Sequence, residues 1–234
     1  MRQSLLKFIL LVFTLLCVLP FILVLSGSIT AEQELMHSGL KLIPDKFSTD
    51  SYKALFTYPK KILNGYAVTV IVTVLGTCFS VLFNAMMAYP LSKKSLKYKN
   101  QIAFFAVFTM LFNGGMVPWY IVCVNFLGLH NNLPALIVPY LGNAWYMLIL
   151  RNYFKTIPED ITESATIDGA GEVRIFFSII LRLSLPALAT VILFVSLAYW
   201  NDWYLGLMLI ERENLLPLQL MLRTIISNIQ FLSS

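Results

Sequence analysis

The chain has 234 residues, of which 58% are hydrophobic and only 12% are charged, and its formal net charge is +5. Soluble domains carry about 25% charged residues, so this composition excludes an ordinary soluble domain and favours a polytopic membrane protein. The positive charge does not predict nucleic-acid binding, because the basic residues are distributed between the apolar runs, as membrane topology requires.

The first apolar run, 5–29, is about 25 residues long and can cross a bilayer as a helix. Arg2 precedes this run and Lys7 lies at its start, and these two positive charges place the N-terminus inside. The run is too long for a signal peptide and has no convincing small-residue cleavage site, so we predict an uncleaved span. The polar segment 30–61 is expected to be an external loop with a short interfacial helix.

The second run, 62–89, ends at Pro90 and is followed by the most basic segment of the chain. Four lysines fall within this short loop: Lys93, Lys94, Lys97 and Lys99. This density predicts a cytoplasmic loop by the positive-inside rule. Such a cluster also favours contact with anionic lipid head groups.

The third run, 102–124, is broken near its middle by Asn113, Gly114, Gly115 and Pro118. Glycine and proline at membrane depth free backbone groups that lipid cannot satisfy. We therefore expect the break to face protein or a water-filled path. The alternative is a kink that serves only helix packing.

The fourth and fifth runs, 133–154 and 187–210, also carry polar groups at membrane depth. Asp202 is the only acidic residue in any of the five runs, and an ionisable residue there is a functional candidate. The alternative is that Asp202 has no such role, since the Trp and Tyr residues around it also fit an interfacial belt. Our candidates for a substrate path are Asn113, Asn143, Trp145, Asn201 and Asp202.

The segment 156–186 is the one long polar interruption in the second half of the chain. Thr156 followed by Glu159 fits a capping box, so a helix is predicted to begin there with Pro158 in its first turn. Apolar residues recurring every four positions should form one face of this helix: Ile157, Ile161 and Ala165.

A glycine elbow is predicted at the end of this helix. Gly169 can adopt the left-handed conformation and stop the helix. A second helix should begin near Gly171 and carry Phe176, Phe177 and Ile180 toward the membrane.

Seven residues of this segment resemble the EAA loop of permease subunits in binding-protein-dependent ABC importers: Glu163, Ser164, Ala165, Asp168, Gly169, Ala170 and Pro186. The runs at 112–120 and 200–203 resemble the carbohydrate-uptake branch of the same family. Two positions depart from the family pattern: Arg182 stands where a proline is usual, and Leu185 where a lysine is common. Without that proline, the second helix should be more continuous.

The resemblance implies an all-α membrane protein, a helical bundle of five predicted spans forming a single permease domain over 1–234. The family has six spans, so the last is expected to be missing at the C-terminus. The segment 156–186 would be a cytoplasmic coupling loop that docks on an ATP-binding cassette ATPase dimer. The other implied partners are a second permease subunit and an extracellular or periplasmic sugar-binding protein, and the implied location is the bacterial cytoplasmic membrane.

The predicted function is therefore that of a permease subunit in an ATP-driven importer for a sugar or oligosaccharide. The sequence has no G-x-x-x-x-G-K-[ST] phosphate loop, so ATP and Mg would be bound by the partner ATPase, and we expect no cofactor, metal or catalytic residue on this chain. A secondary transporter would carry internal repeats and coupling charges near the midplane. A membrane-embedded enzyme, the less favoured alternative, would need paired carboxylates or a histidine cluster.

Overall fold

The computed structural model describes residues 2–31, 34–35, 38–57 and 59–233, and these are almost entirely helical, which confirms the predicted fold class. The α-helices are α1 Arg2–Ser28, α2 Asp50–Thr57, α3 Pro59–Ser92, α4 Lys99–Leu111, α5 Met116–Ile121, α6 Ala144–Phe154, α7 Glu159–Ile167, α8 Glu172–Ile175, α9 Leu181–Leu183, α10 Leu185–Trp200, α11 Tyr204–Leu209 and α12 Leu218–Ser233. A π-turn, Val122–Phe126, extends α5, and another, Phe176–Ile180, joins α8 to α9. Short 3₁₀ turns cover Leu133–Leu136, Val138–Tyr140 and Glu213–Leu215.

Residues 1–62 form one compact unit. Its helix α1 is strongly apolar, with most of its described side chains exposed. In the loop that follows, an antiparallel bridge pairs Thr30 with Phe47, and the Ser26 hydroxyl donates to the Lys41 carbonyl at 2.6 Å. The short helix α2 lies in the segment that we expected to form an external loop with an interfacial helix.

Residues 63–234 form the second unit, and bent helix pairs dominate it. By length and composition, the described residues contain two helices that could cross a membrane, or up to five if each bent pair is one span. The pairs bend by 114° at 112–115, by 53° at 141–143 and by 83° at Ser184. The first bend contains Gly115 at φ +89°, a conformation that favours glycine. The segment after the glycine elbow is continuous to Leu183 and then turns sharply.

A buried stripe on α3 organises the core of this unit. Its members are spaced by four residues and share one face: Val68, Val72, Gly76, Ser80, Asn84 and Ala88. Small residues on such a stripe allow helices to approach closely. At Gly76 an added Cβ would lie only 2.7 Å from the ring of Tyr199 on α10. The Tyr199 hydroxyl in turn donates to the Ile137 carbonyl at 2.9 Å, so α3, α10 and the 133–140 turns are held together.

Candidate functional site

The first turn of α7 differs from the sequence prediction. The predicted capping box at Thr156 is wrong: the helix begins at Glu159, and its N-cap, Pro158, offers no side-chain hydrogen bond. The Thr156 hydroxyl donates to the Tyr153 carbonyl at 2.7 Å, because the chain leaves α6 through a tight turn that uses this side chain. The Glu159 carboxylate accepts from the Lys94 ammonium at 3.0 Å instead of reaching back to the cap.

The end of α7 follows the prediction. Gly169 has φ +82°, its N–H donates to the Thr166 carbonyl at 3.0 Å, and the Ala170 N–H donates to the Ala165 carbonyl at 2.9 Å. This pair of bonds is a Schellman motif, which satisfies two terminal carbonyls of the helix. The next helix begins at Glu172 with Gly171 as its N-cap. The predicted elbow and the start of the second helix are confirmed.

The two faces of α7 differ in what they contact. Ala165 packs against the buried core, whereas Ile161 is 38% exposed, so the predicted apolar face is only partly covered. Glu163 and Ser164 are exposed on the outer side, and the Ile167 side chain is 87% exposed. The outer face of α7 therefore combines a carboxylate with a bare aliphatic side chain.

Two ionic contacts join the two ends of the segment 159–172, which contains α7 and the elbow, to the lysine loop after α3. The carboxylate of Glu172 accepts from the Lys93 ammonium and from the Tyr89 hydroxyl, the latter at 2.8 Å. Glu159 accepts from Lys94 as described above. The lysine loop and the elbow therefore lie at the same end of the helices, which we call the charged end. That this end faces the cytoplasm stays a prediction.

A cleft of about 440 Å³ lies near the break between α10 and α11. It brings together three of the five predicted path residues, Asn143, Asn201 and Asp202. Its wall also includes aromatic side chains that sequence reasoning did not select: Tyr140, Tyr146, Tyr199, Trp203 and Tyr204. We call it the aromatic cleft. The sequence signal was the abundance of Tyr and Trp in these runs, which we read as an interfacial belt.

Asp202 is held firmly in the wall of this cleft. One carboxylate oxygen accepts from the Tyr140 hydroxyl at 3.1 Å, and the other accepts from the Leu205 N–H in the first turn of α11 at 3.1 Å. Asn201 lies beside it and donates to the Leu197 carbonyl at 2.8 Å, and its side chain is exposed. These bonds orient the polar groups while leaving the cleft itself open.

Asn143 serves first as a helix cap. Its side-chain oxygen accepts from the Trp145 N–H at 2.9 Å and more weakly from the Tyr146 N–H at 3.4 Å. Its backbone N–H donates to the side-chain oxygen of Asn84 at 3.0 Å. The fully buried Asn84 amide also donates to the carbonyls of Ser80 and Leu141, so it joins α3 to the bend before α6.

The remaining two predicted path residues do not line the cleft. The side-chain oxygen of Asn113 accepts from the Gly115 N–H at 2.9 Å inside the 114° bend, where the chain is exposed. The Trp145 side chain is 58% exposed on α6. Both are therefore on the surface of this chain.

No group of three or more His, Cys, Asp or Glu residues that could hold a metal ion occurs in the part of the chain that the structure describes. The three cysteines are free thiols; Cys17 and Cys78 are exposed, and Cys123 is buried.

With this geometry in hand, comparison with known proteins decides the family. The family model described as "Binding-protein-dependent transport system inner membrane component" matches residues 1–233. The chain belongs to this family. The predicted resemblance to permease subunits of binding-protein-dependent importers is thereby confirmed, and with it the membrane location.

Two curated relatives from Bacillus subtilis (strain 168) resemble this permease along most of its length. The Polygalacturonan/rhamnogalacturonan transport system permease protein YtcP is 42% identical over 217 residues, which are 93% of this chain and 75% of the relative. Protein LplC is 39% identical over 214 residues, 91% of this chain and 72% of the relative.

One solved structure has the same fold. It is titled "Crystal structure of a bacterial ABC transporter involved in the import of the acidic polysaccharide alginate". Its matching chain superposes with a TM-score of 0.85 at 30% identity, covering 95% of this permease and 79% of that chain.

Proposed function

We propose that this permease is the membrane-spanning subunit of an ATP-driven importer for a sugar or oligosaccharide. The observation that carries this proposal is the 42% identity to a permease named for polygalacturonan and rhamnogalacturonan transport. The similarity to the chain from an alginate importer supports the same substrate class. A second permease subunit and an external sugar-binding protein would complete the membrane assembly.

Energy would enter through the outer face of α7. Glu163 and Ile167 are exposed on this face, within the segment that resembles the EAA loop, and would offer a partner a negative charge and an apolar side chain. An ATPase dimer docked there would bind ATP and Mg, so this chain would need no cofactor of its own. Nucleotide binding would draw two such loops together, and the rigid-body movement would switch the access of the path.

The charged end supplies a route for this movement into the spans. Glu172 is tied to Lys93 and Tyr89, and Glu159 to Lys94, so a displaced elbow pulls directly on the end of α3. The Schellman motif at Gly169 keeps α7 and α8 at a fixed angle. We propose that the elbow moves as one piece with the end of α3.

The aromatic cleft is our candidate for the part of the substrate path in this subunit. Sugar sites combine a few oriented polar groups with flat apolar surfaces. Asp202 and Asn201 would supply hydrogen bonds, and the tyrosine rings would supply the surfaces. Asn113 and Trp145, which are exposed on this chain, would contribute from its partner-facing surface, and Asn143 would hold the bend in place.

Reconstitution in proteoliposomes tests the function. The permease, its partner permease, the ATPase and the binding protein are assembled, and uptake of labelled neutral and acidic oligosaccharides is measured with ATP inside the vesicles. We expect ATP-dependent uptake that is lost in Glu163→Lys and retained in Asn125→Lys, a control that places the same lysine at an exposed residue distant from α7 in the chain. Uptake driven by an ion gradient without ATP would instead indicate a secondary transporter, and chemical conversion of the sugar would indicate an enzyme.

A further inference from the structure

A second cleft, of about 430 Å³, lies at the charged end, between the end of α3, the lysine loop and the turn from α6 into α7. Four lysines contribute to its wall: Lys93, Lys94, Lys99 and Lys155. The single acidic residue on the wall is Glu159. We call this cavity the lysine cleft. Nothing in the coupling role of the elbow requires so many cations to face one cavity.

Two of these lysines have acidic partners and two do not. Lys93 is bound to Glu172 and Lys94 to Glu159. Among the described residues, the Lys99 ammonium donates to the carbonyls of Lys93 and Lys94, each at 3.2 Å, and to no carboxylate, which leaves its charge uncompensated there. Lys155 makes no ion pair or hydrogen bond through its ammonium with any residue that the structure describes.

A third uncompensated cation lies close to these two. Arg151 on α6 is 9% exposed, and its guanidinium donates to the Leu91 carbonyl at 2.9 Å and weakly to the Asn100 side-chain oxygen at 3.5 Å. No carboxylate among the described residues pairs with it. Burying a charge without a counter-charge is costly. Lys155 itself is exposed, and its pKa lies below the ordinary value because partial desolvation disfavours the ammonium and because Arg151 and Lys99 repel it.

We propose that the lysine cleft binds a phosphate-bearing anion, either the head group of an anionic phospholipid or a soluble phosphate compound, through Lys99 and Lys155. A phosphate group would neutralise Lys99 and Lys155, the two unpaired lysines of the wall, and lysine is a common point-charge ligand for phosphate. The volume falls within the range of small-molecule sites. The cleft opens at the ends of membrane helices, where a basic surface attracts anionic head groups.

An anion bound in the lysine cleft would also affect the start of α7 and, through it, the elbow. The wall of the cleft also includes Thr156, Ile157, Pro158 and Glu159, the turn that follows Lys155 and leads into α7. An anion held by Lys99 and Lys155 would therefore join the lysine loop to the base of α7. Its effect would add to the Lys94–Glu159 pair, which is exposed and weak by itself.

Binding to the full chain in neutral detergent micelles tests this inference without any partner subunit. One probe is phosphatidylglycerol, counted on the protein by native mass spectrometry against phosphatidylcholine, and the other is inorganic pyrophosphate, measured by calorimetry. Lys155→Ala and Lys99→Ala should each weaken binding about fivefold. Lys155→Arg should retain it. Lys97→Ala is the matched control, because this lysine is in the same loop but outside the wall.

Selective loss of phosphatidylglycerol in the cleft variants would identify a lipid site, and selective loss of pyrophosphate a soluble ligand; either result supports the site. Failure of both probes to bind the wild type, or equal losses in Lys97→Ala and Lys155→Ala, would overturn it. If Lys155→Ala does not give a monodisperse protein, Lys155→Gln replaces it. Because no ATPase takes part, a negative result leaves the proposed importer function untouched.

Discussion

The glycine elbow and the aromatic cleft are built in opposite ways. Every backbone bond that shapes the elbow joins residues no more than five positions apart, as from Ala170 to Ala165. The cleft instead depends on contacts across about sixty residues, such as Tyr140 to Asp202 and Asn143 to Asn84. The elbow therefore owes its shape to local backbone chemistry, and the cleft owes its shape to helix packing. Substitutions in the elbow and in the aromatic cleft should therefore have different effects.

Gly169→Val should have the largest effect. Valine at φ +82° costs roughly 1–2 kcal/mol and would distort the Schellman motif, although an added Cβ meets no atom within 4 Å. We expect more than a tenfold loss of transport with normal membrane insertion, measured by uptake and by the amount of purified chain. Gly171→Val is the control, since φ at this position is −72°. Equal losses in the two variants would mean that the left-handed conformation is not what matters.

Asn84→Ala should be the most damaging change to the cleft scaffold. It removes both donors to the Ser80 and Leu141 carbonyls and the acceptor for the Asn143 N–H. Leaving buried polar groups unpaired costs about 1–3 kcal/mol for each group. We expect a clear fall in the unfolding midpoint in detergent, with the elbow intact as judged by ATPase co-purification. An unchanged midpoint would show that this network does not hold the bend.

Gly76→Ala should act on the same scaffold more mildly. The added methyl would lie 2.7 Å from the Tyr199 ring, and overpacking of this kind typically costs about 1–3 kcal/mol. Because Tyr199 lines the aromatic cleft, uptake should fall together with the unfolding midpoint. Gly114→Ala is the comparison, since its methyl would meet only Pro118 at 3.7 Å. Tolerance of Gly76→Ala would mean that the helices can separate there at little cost.

Asp202→Asn should change substrate handling with little effect on the fold. The asparagine oxygen can still accept from the Leu205 N–H, but its NH₂ group then takes the place of the oxygen that accepts from Tyr140, so this contact can form only with the Tyr140 hydroxyl as the acceptor. We expect a change in the concentration dependence of uptake or in sugar preference, with ATPase association unchanged. If both transport properties stay at wild-type values, Asp202 is a structural residue only.

Lys94→Glu should have the smallest effect. Its pair with Glu159 is exposed, and such pairs contribute about 0.2–1 kcal/mol. Transport should fall slightly and recover in the double variant Lys94→Glu with Glu159→Lys. The comparison is made at low and high salt, because screening should remove most of the difference. A large loss that the double variant does not restore would show that Lys94 has another role.

The features that the sequence predicted depend on local contacts, and those it missed depend on contacts between distant parts of the chain. The elbow at Gly169 was predictable because few residue types tolerate its backbone conformation and because Gly169 follows the end of α7 directly in the sequence. The capping box at Thr156 failed because the exit turn from α6 competes for the same hydroxyl, which no local pattern reveals. The aromatic lining could not be predicted, since Tyr140 and Tyr199 become neighbours only when α3 provides the gap at Gly76.

Site-specific cross-linking tests whether the ATPase docks on α7. The three native cysteines are replaced by serine, and single cysteines are placed at Ser164, exposed on α7, and at Asn125, exposed in the π-turn after α5. The assembled importer is then treated with a short reagent that couples to the cysteine thiol at one end and inserts photochemically into a neighbouring residue at the other, so that the ATPase needs no cysteine. We expect a covalent product with the ATPase from Ser164→Cys and none from Asn125→Cys. Cross-linking from Asn125→Cys alone, or from neither position in an importer that is active in transport, would contradict docking through the elbow.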